Sequence, residues 1–352
     1  FGAPVETAQP SLPVTPEGTD NRLSNWQTTI GQYCRGNPNL IVAICHAMSA
    51  TLRQYHHRAY LVLLLVGPSS SGKTTVQKVV TGLASNPDLR DAIPQFNGSE
   101  PGFRQHLSQY PGQCVCYQDI QLSGDISKII RLIFGLADSS SRHLKDGPNE
   151  PLNCVTIFSN ERSIIEMSRC DHRDINDGLF ARVFEIYADA PYGMFHDIHD
   201  TGNSGAFAKS LHRLAGTTAG CVWPAWIQAI SNHWNDIEDW WKERFPLVSQ
   251  RLIERVDPND KLSAVDRRLV DELAYSAWIG IVANKLGVLP FKAEEIHAAF
   301  GEVISSQMAR RGVGQTPLAK RAIEAVRGFI DQNQGRFRPW ETLHKLLSCS
   351  VI

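Results

Sequence analysis

The sequence lacks both a long apolar run and an excess of one charge. The longest apolar run, Leu61–Val66, has the length of a strand, and no stretch reaches the roughly 18 apolar residues that indicate a membrane-spanning helix. The 352 residues include 35 Lys and Arg against 36 Asp and Glu, a formal net charge of −1. This balance argues against a protein that holds nucleic acid by bulk positive charge, although it leaves room for a local basic channel.

The eight cysteines form no Cys-x-x-Cys pair. Cys170 and His172 have the spacing of half a metal site, but the sequence offers no second half. Free buried thiols in a reducing compartment explain the cysteines better, so we expect a cytoplasmic protein.

The hydrophobic fraction of 42% and charged fraction of 20% are those of a globular chain, and the length favours two domains. Residues 1–22 are rich in Pro, Thr and Gly and lack the basic start and apolar core of a secretory signal, so we expect a flexible leader. The predicted organisation is a leader at 1–22, a first domain at 23–190, a linker at 191–205 and a helical domain at 206–352.

Strands and helices alternate in the first domain. The run Tyr60–Val66 predicts a strand buried on both faces, and three further strands are predicted at Cys114–Tyr117, Cys154–Phe158 and Arg182–Tyr187. This alternation predicts a three-layer α/β fold with a parallel sheet.

Periodic apolar residues predict helices between these strands and throughout the C-terminal part. The predicted helices cover Leu40–His56, Lys73–Ala84, Asp125–Ala137, Ile164–Arg169, Pro224–Arg255, Asp266–Leu286, Lys292–Arg311 and Pro317–Gln332.

One motif carries most of the chemistry. The segment Gly67–Thr74, Gly-Pro-Ser-Ser-Ser-Gly-Lys-Thr, matches the phosphate-loop pattern in full, after a buried strand and before a helix. Glycines let the backbone N–H groups turn towards phosphate oxygens, Lys73 supplies a cation for the β- and γ-phosphates, and the Thr74 hydroxyl is suited to Mg²⁺. We expect ATP and Mg²⁺ to bind here, the alternative being a Gly–Ser turn that mimics the motif. The predicted nucleotide-binding residues are Gly67, Pro68, Ser69, Ser70, Ser71, Gly72, Lys73, Thr74 and Thr75.

Hydrolysis requires an acidic residue at the end of a neighbouring strand. The second predicted strand ends with Gln118 and Asp119 where an Asp–Glu pair is usual. Two alignments are open. In the first, Asp119 takes the place of the aspartate that serves the magnesium shell, and no acid follows it. In the second, Gln118 takes that place and Asp119 takes the place of the glutamate. An Asp119 without any catalytic role is a further alternative.

The next strand ends with Asn160 and Glu161. Asn160 is suited to orienting the attacking water beside the γ-phosphate, and Glu161 to supplying the acid that is missing near Asp119. The alternative is an ordinary strand-to-helix turn with Asn160 as the helix cap.

Two basic features complete the candidates. Arg182, before the last strand, is suited to reaching a γ-phosphate within its own subunit or in a neighbour, or alternatively to a structural salt bridge. The segment with Arg142, His143 and Lys145 predicts a hairpin or long loop that would place positive charge on DNA, or else a solvated loop.

The loop and its preceding helix resemble a bacterial ATPase family of phages and mobile elements that is described as a domain of unknown function (DUF927-like). The resemblance covers about residues 38–340. It is carried by Leu64–Thr75, Asp266–Arg268, Ala274–Gly287, Met308–Gly312, Ala325–Ile330 and Gly335–Phe337.

This family in turn resembles the AAA+ branch that contains superfamily 3 and MCM-like helicases. The resemblance implies a hexameric, ATP-driven DNA helicase or translocase, with residues 140–150 near a pore, single-stranded DNA as partner, and a primase or loader as a possible companion. The chain departs from the family at Gln118–Asp119 and at Asn160, where the family has Gly. Two rival functions follow from the same loop: a small-molecule kinase or NTPase, and a nucleotide-gated assembly module with little hydrolysis.

Overall fold

The computed structural model describes residues 16–96, 99–120, 126–137, 152–170, 177–311, 326–330 and 333. The described residues up to 307 form one compact unit, and those from 308 onwards belong to a second. In the described part, none of the helices combines the length and apolar character needed to cross a bilayer.

Helices and strands alternate as far as β4, and helices follow to the end of the described chain. The strands are β1 Val62–Val66, β2 Cys114–Tyr117, β3 Val155–Asn160 and β4 Val183–Tyr187. The first eight helices are α1 Pro16–Thr28, α2 Ile30–Cys34, α3 Pro38–Arg53, α4 Lys73–Thr81, α5 Glu100–Leu107, α6 Ile126–Ala137, α7 Ile164–Cys170 and α8 Asp177–Phe180. The later helices are α9 Ser204–Thr217, α10 Val222–Asn232, α11 Trp234–Val256, α12 Ala264–Lys285 and α13 Ala293–Arg310.

The described strands form one parallel sheet in the order β2-β3-β1-β4. All five residues of β1 are buried, as the uninterrupted apolar run predicts. Val62, Leu64 and Val66 share an apolar cluster with α5 and α6, so Leu63 and Leu65 face the opposite side of the sheet, where α3 and α4 pack. Helices therefore cover both faces, and the predicted parallel α/β fold with a helical C-terminal region is confirmed.

One predicted helix is wrong. The span predicted as a single helix, Pro224–Arg255, is two helices, α10 and α11, separated at His233. His233 leaves helical geometry with φ −125° and ψ 27°, and its Nδ1 lies 3.0 Å from an Asp236 carboxylate oxygen in the first turn of α11.

Five further helices, α1, α2, α5, α8 and α9, were not predicted from the sequence. Within the predicted linker at 191–205 the side chains of Met194, Phe195 and Ile198 are buried. The division of the chain at 190 and 206 stays a prediction. Of the predicted C-terminal helix Pro317–Gln332, only residues 326–330 lie in the described part, and they are helical.

A buried polar network joins α3, which precedes β1, to α12. Arg53 is fully buried, and its Nη1 donates to a Glu272 carboxylate oxygen at 2.8 Å. Its Nη2 and Nε donate to the hydroxyls of Ser276 and Ser49, each at 3.0 Å. Because a buried charge is tolerated only when it is paired and hydrogen-bonded, this network fixes α12 of the helical region onto α3.

We predict that Arg53→Ala lowers the free energy of unfolding by about 2–3 kcal/mol, because it breaks the buried hydrogen bonds to Glu272, Ser276 and Ser49. Arg58, whose Nη2 lies 3.1 Å from the other Glu272 carboxylate oxygen, still pairs with this carboxylate and limits the loss. Urea denaturation followed by circular dichroism measures the change. The matched control is Arg244→Ala, which removes an exposed arginine from α11 and should change the stability by less than about 0.5 kcal/mol. Equal stability of the two variants would contradict the role given to the buried pair.

Candidate nucleotide-binding site

The phosphate loop begins where β1 ends, between the ends of β3 and β4. The Gly67 N–H donates to the Asn160 carbonyl at 3.1 Å, and the Ala188 N–H donates to the Val66 carbonyl at 2.7 Å. A Cβ on Gly67 would lie 2.5 Å from the Ala188 Cβ, so only glycine fits at this point. The loop therefore opens at the carboxyl edge of the sheet, where ligands bind in open parallel α/β folds.

The loop has a backbone suited to an anion. Ser70 and Gly72 have positive φ of 62° and 95°, and alternation of this kind turns successive N–H groups into one concavity. Within the described ranges, the N–H groups of residues 69–72 donate to no acceptor. Helix α4 follows at Lys73 and adds its own first-turn N–H groups and the positive end of its dipole. These unpaired donors fit a phosphate chain.

A second segment, residues 188–195, supports the loop from behind, and we call it the buttress. The Met194 N–H donates to the Ser71 carbonyl at 2.8 Å. Gly193 has φ 76°, and a Cβ there would lie 2.4 Å from the Ser71 carbonyl oxygen. A Cβ on Gly72 would lie 2.7 Å from the Phe195 ring. The loop and the buttress are therefore in backbone contact, and the conformation of each depends on the other.

Lys73 lies over the loop. Its Nζ donates to the carbonyls of Gly67 at 2.6 Å and Pro68 at 2.7 Å. Burial lowers the pKa of Lys73, while the negative charges of Glu161 and Asp119 act in the opposite direction and raise it. Two carboxylates from two different strand ends thus act electrostatically on the loop lysine.

Asp119 comes two residues after the end of β2, and the residue between them, Gln118, pairs with residues 94–96. The Gln118 N–H donates to the Pro94 carbonyl at 2.9 Å, and the Gln118 carbonyl accepts from the Phe96 N–H at 2.8 Å. Asp119 then turns into left-handed geometry with φ 51°. Its charge acts on Lys73, which favours a position on the loop side of β2. Its role in catalysis or metal binding stays a prediction.

Asn160 is paired in register with Val66, directly before the loop. Its side chain is buried, and its Nδ2 donates to the Arg162 carbonyl at 2.7 Å. The cap of α7 is Ser163, whose hydroxyl accepts from the Glu166 N–H at 3.1 Å while the Glu166 carboxylate accepts from the Ser163 N–H at 2.8 Å. The alternative that Asn160 caps this helix is therefore wrong, and its contact with a γ-phosphate stays a prediction.

Arg182 does not join the loop of its own chain. It lies at the opposite edge of the sheet, where its carbonyl accepts from the Val62 N–H at 3.0 Å, and β1 spans roughly 16 Å at 3.3 Å per residue. Its Nη1 donates to the Gly178 carbonyl at 2.9 Å, and its guanidinium carbon lies 4.6 Å from the centre of the Phe134 ring. The expectation of a γ-phosphate contact within the subunit is thus corrected, because a residue that precedes a parallel strand lies at the edge away from the loop.

The predicted nucleic-acid residues Arg142, His143 and Lys145 lie outside the described residues, as does His172. In the part of the chain that the structure describes, no group of three or more His, Cys, Asp or Glu side chains is placed to hold a metal ion.

Two supports of the loop helix were not predicted. The Thr75 hydroxyl lies 2.9 Å from Nε2 of His212 on α9, and burial lowers the pKa of His212, which keeps the ring neutral near pH 7. On α4 the buried Gln77 donates from Nε2 to the carbonyls of Tyr117 at 2.8 Å and Ile157 at 3.1 Å, and so ties the loop helix to β2 and β3. The sequence indicates this role of Gln77 only by placing a polar residue among the apolar residues of one helix face.

Comparison with known proteins agrees with this fold. The model of the family "Domain of unknown function (DUF927)" matches residues 14–147, which confirms the resemblance inferred from the sequence over the shared stretch, residues 38–147. The solved structure of "SCCmec type IV Cch - active helicase" is similar, with a TM-score of 0.66 and 20% sequence identity. The match covers 94% of this chain and 60% of the Cch chain, so this chain spans less than two thirds of that protein's length. No curated protein matches the chain.

We predict that Gly193→Ala weakens the binding of ATP about tenfold or more, because the new Cβ collides with the Ser71 carbonyl and displaces the loop. The binding of a fluorescent ATP analogue measures the effect. Gly202→Ala is the matched control: it also substitutes a glycine with positive φ, 80°, but nothing lies within 4 Å of the added Cβ.

The control should lose roughly 1 kcal/mol of stability from backbone strain and keep its affinity. Equal affinities of the two variants would contradict the dependence of the loop on the buttress.

Proposed function

We propose that the chain is an ATP-driven motor of a mobile element or prophage that acts on DNA as a helicase or translocase. The observation that carries the proposal is the loop of unpaired N–H groups at the carboxyl edge of a parallel sheet, in a chain whose fold resembles that of a protein described as an active helicase. ATP, held by its phosphates, is the proposed substrate.

The residues of the loop fit the parts of a phosphoryl-transfer site. The N–H groups of residues 69–72 and the first turn of α4 bind the phosphates, and Lys73 places its charge on the β- and γ-phosphates. The Thr74 hydroxyl and the Asp119 carboxylate are oxygen donors of the kind that Mg²⁺ prefers. Bound magnesium would neutralise part of the charge on the phosphate oxygens.

A ring of six subunits, as in the helicases that the sequence resembles, is part of the proposal. In such a ring an arginine from one subunit completes the site of the next, and Arg182 at the far edge of the sheet is the candidate for that contact. Arg142, His143 and Lys145 are the proposed contacts to single-stranded DNA in the pore, with a primase or loader as a further partner in the cytoplasm.

One observation favours a second function, a nucleotide-gated assembly module. The chain has Gln118 and Asp119 at the end of β2, where an Asp–Glu pair is usual, and the Gln118 backbone is paired with residues 94–96. Such a module would bind ATP tightly and turn it over negligibly. A kinase acting on small molecules has no comparable support in the described residues.

Steady-state ATP hydrolysis with and without single-stranded DNA separates these functions. We expect turnover that rises with DNA and falls at least about 100-fold in Lys73→Ala, because the variant removes the cation that meets the developing charge on the phosphates. The exposed Lys242→Ala on α11 is the control and should retain the rate of the parent chain. Tight binding without turnover in either condition would refute the motor and leave the assembly module.

A further inference from the structure

We propose that Glu161 is the general base of this site, the carboxylate that takes the proton of the attacking water, and that Asp119 is left to serve the magnesium shell. This assignment rests on the proposed ATP hydrolysis and identifies the acid that the Gln118–Asp119 pair does not provide.

Glu161 is close to the loop because of the order of the strands. It follows Asn160, whose carbonyl accepts the N–H of Gly67, the first residue of the loop. Strand β3 is the immediate neighbour of β1, whereas β2, which carries Asp119, lies one strand further away. With strands about 4.8 Å apart, the backbone before Asp119 is roughly 10 Å from β1 and that before Glu161 about half as far.

The turn that carries Glu161 is fixed on both sides. Before it, Asn160 donates from its buried Nδ2 to the Arg162 carbonyl and so closes the turn across Glu161. After it, Ser163 and Glu166 cap α7 through their reciprocal hydrogen bonds. The Asn160 amide thus acts as a positioning group for its neighbour.

The other acids near this strand end already have partners. The Glu166 carboxylate accepts from the Ser163 N–H. The buried Glu185 accepts from the Ile164 N–H and from the Tyr187 hydroxyl, each at 2.7 Å. Glu161 is exposed and has no ion pair or hydrogen bond to its side chain in the part of the chain described here. Among the acids that follow β3, Glu161 is therefore the one in the described residues whose carboxylate is free to accept a proton.

In the proposed step a water oxygen forms a bond to the γ-phosphorus as the bond from that phosphorus to the β–γ bridging oxygen breaks, and the electron pair stays on the departing ADP. The water proton passes to the Glu161 carboxylate and from there to solvent. General-base assistance of this kind contributes about 10²–10⁴ in rate.

Glu161→Gln tests the assignment because it removes the base and keeps the shape of the side chain. We expect the kcat for ATP to fall by about 100-fold or more while the Kd for a non-hydrolysable ATP analogue changes by less than about threefold. Glu161→Asp, which keeps a shorter carboxylate, should give an intermediate kcat. Glu166→Gln is the matched control, because glutamine also completes a capping box, and it should retain the rate of the parent chain.

Asp119→Asn separates the two acids. It should weaken the dependence of turnover on magnesium, raising the magnesium concentration for half-maximal rate, whereas Glu161→Gln should leave that concentration unchanged. Turnover of Glu161→Gln within about twofold of the parent chain would overturn the assignment while leaving ATP hydrolysis established. Absence of turnover in the parent chain itself would instead overturn the proposed function, and the assignment with it.

Discussion

The parallel pairing of β1 with β3 is the constraint on which the candidate site depends. The last hydrogen bond of this pairing runs from the Gly67 N–H to the Asn160 carbonyl, and it joins the first residue of the loop to the end of the neighbouring strand. Because β3 lies between β1 and β2, the residues after β3 reach the loop first. The chemistry proposed for Glu161 is a consequence of this strand order.

The second constraint is the backbone contact between the loop and the buttress. A loop whose N–H groups point into an open concavity gives up its own hydrogen bonds, and its conformation has to be held by something else. Here the Ser71 carbonyl accepts the Met194 N–H, while Gly193 and Gly72 permit an approach that a Cβ would prevent. Asn39 on α3 donates to the Met194 carbonyl at 3.0 Å, so the support extends to the helix that Arg53 fixes onto α12.

The sequence predicts the parts of the molecule that depend on local pattern. Strand β2 has the predicted bounds, and the loop lies between a buried strand and a helix as its motif requires. Strand order is not encoded in spacing along the chain, and only the fold shows that β3 lies between β1 and β2. Arg182 was expected near the loop although it precedes a parallel strand, and strand direction alone puts it at the far edge. Residues 191–205 have the Gly and Asp content of a linker, and only the fold shows that Gly193 is needed for contact with Ser71.

The central claim, that Gly67–Thr75 binds a nucleoside triphosphate, is tested most directly by calorimetric titration with a non-hydrolysable ATP analogue and magnesium. We expect saturable binding of about one nucleotide per chain, weakened at least about tenfold in Lys73→Ala because the variant removes the cation of the loop. We also expect free pyrophosphate to compete, because the loop recognises phosphates. No binding by the folded parent chain, or equal binding by Lys73→Ala, would contradict the assignment of this loop as the nucleotide site.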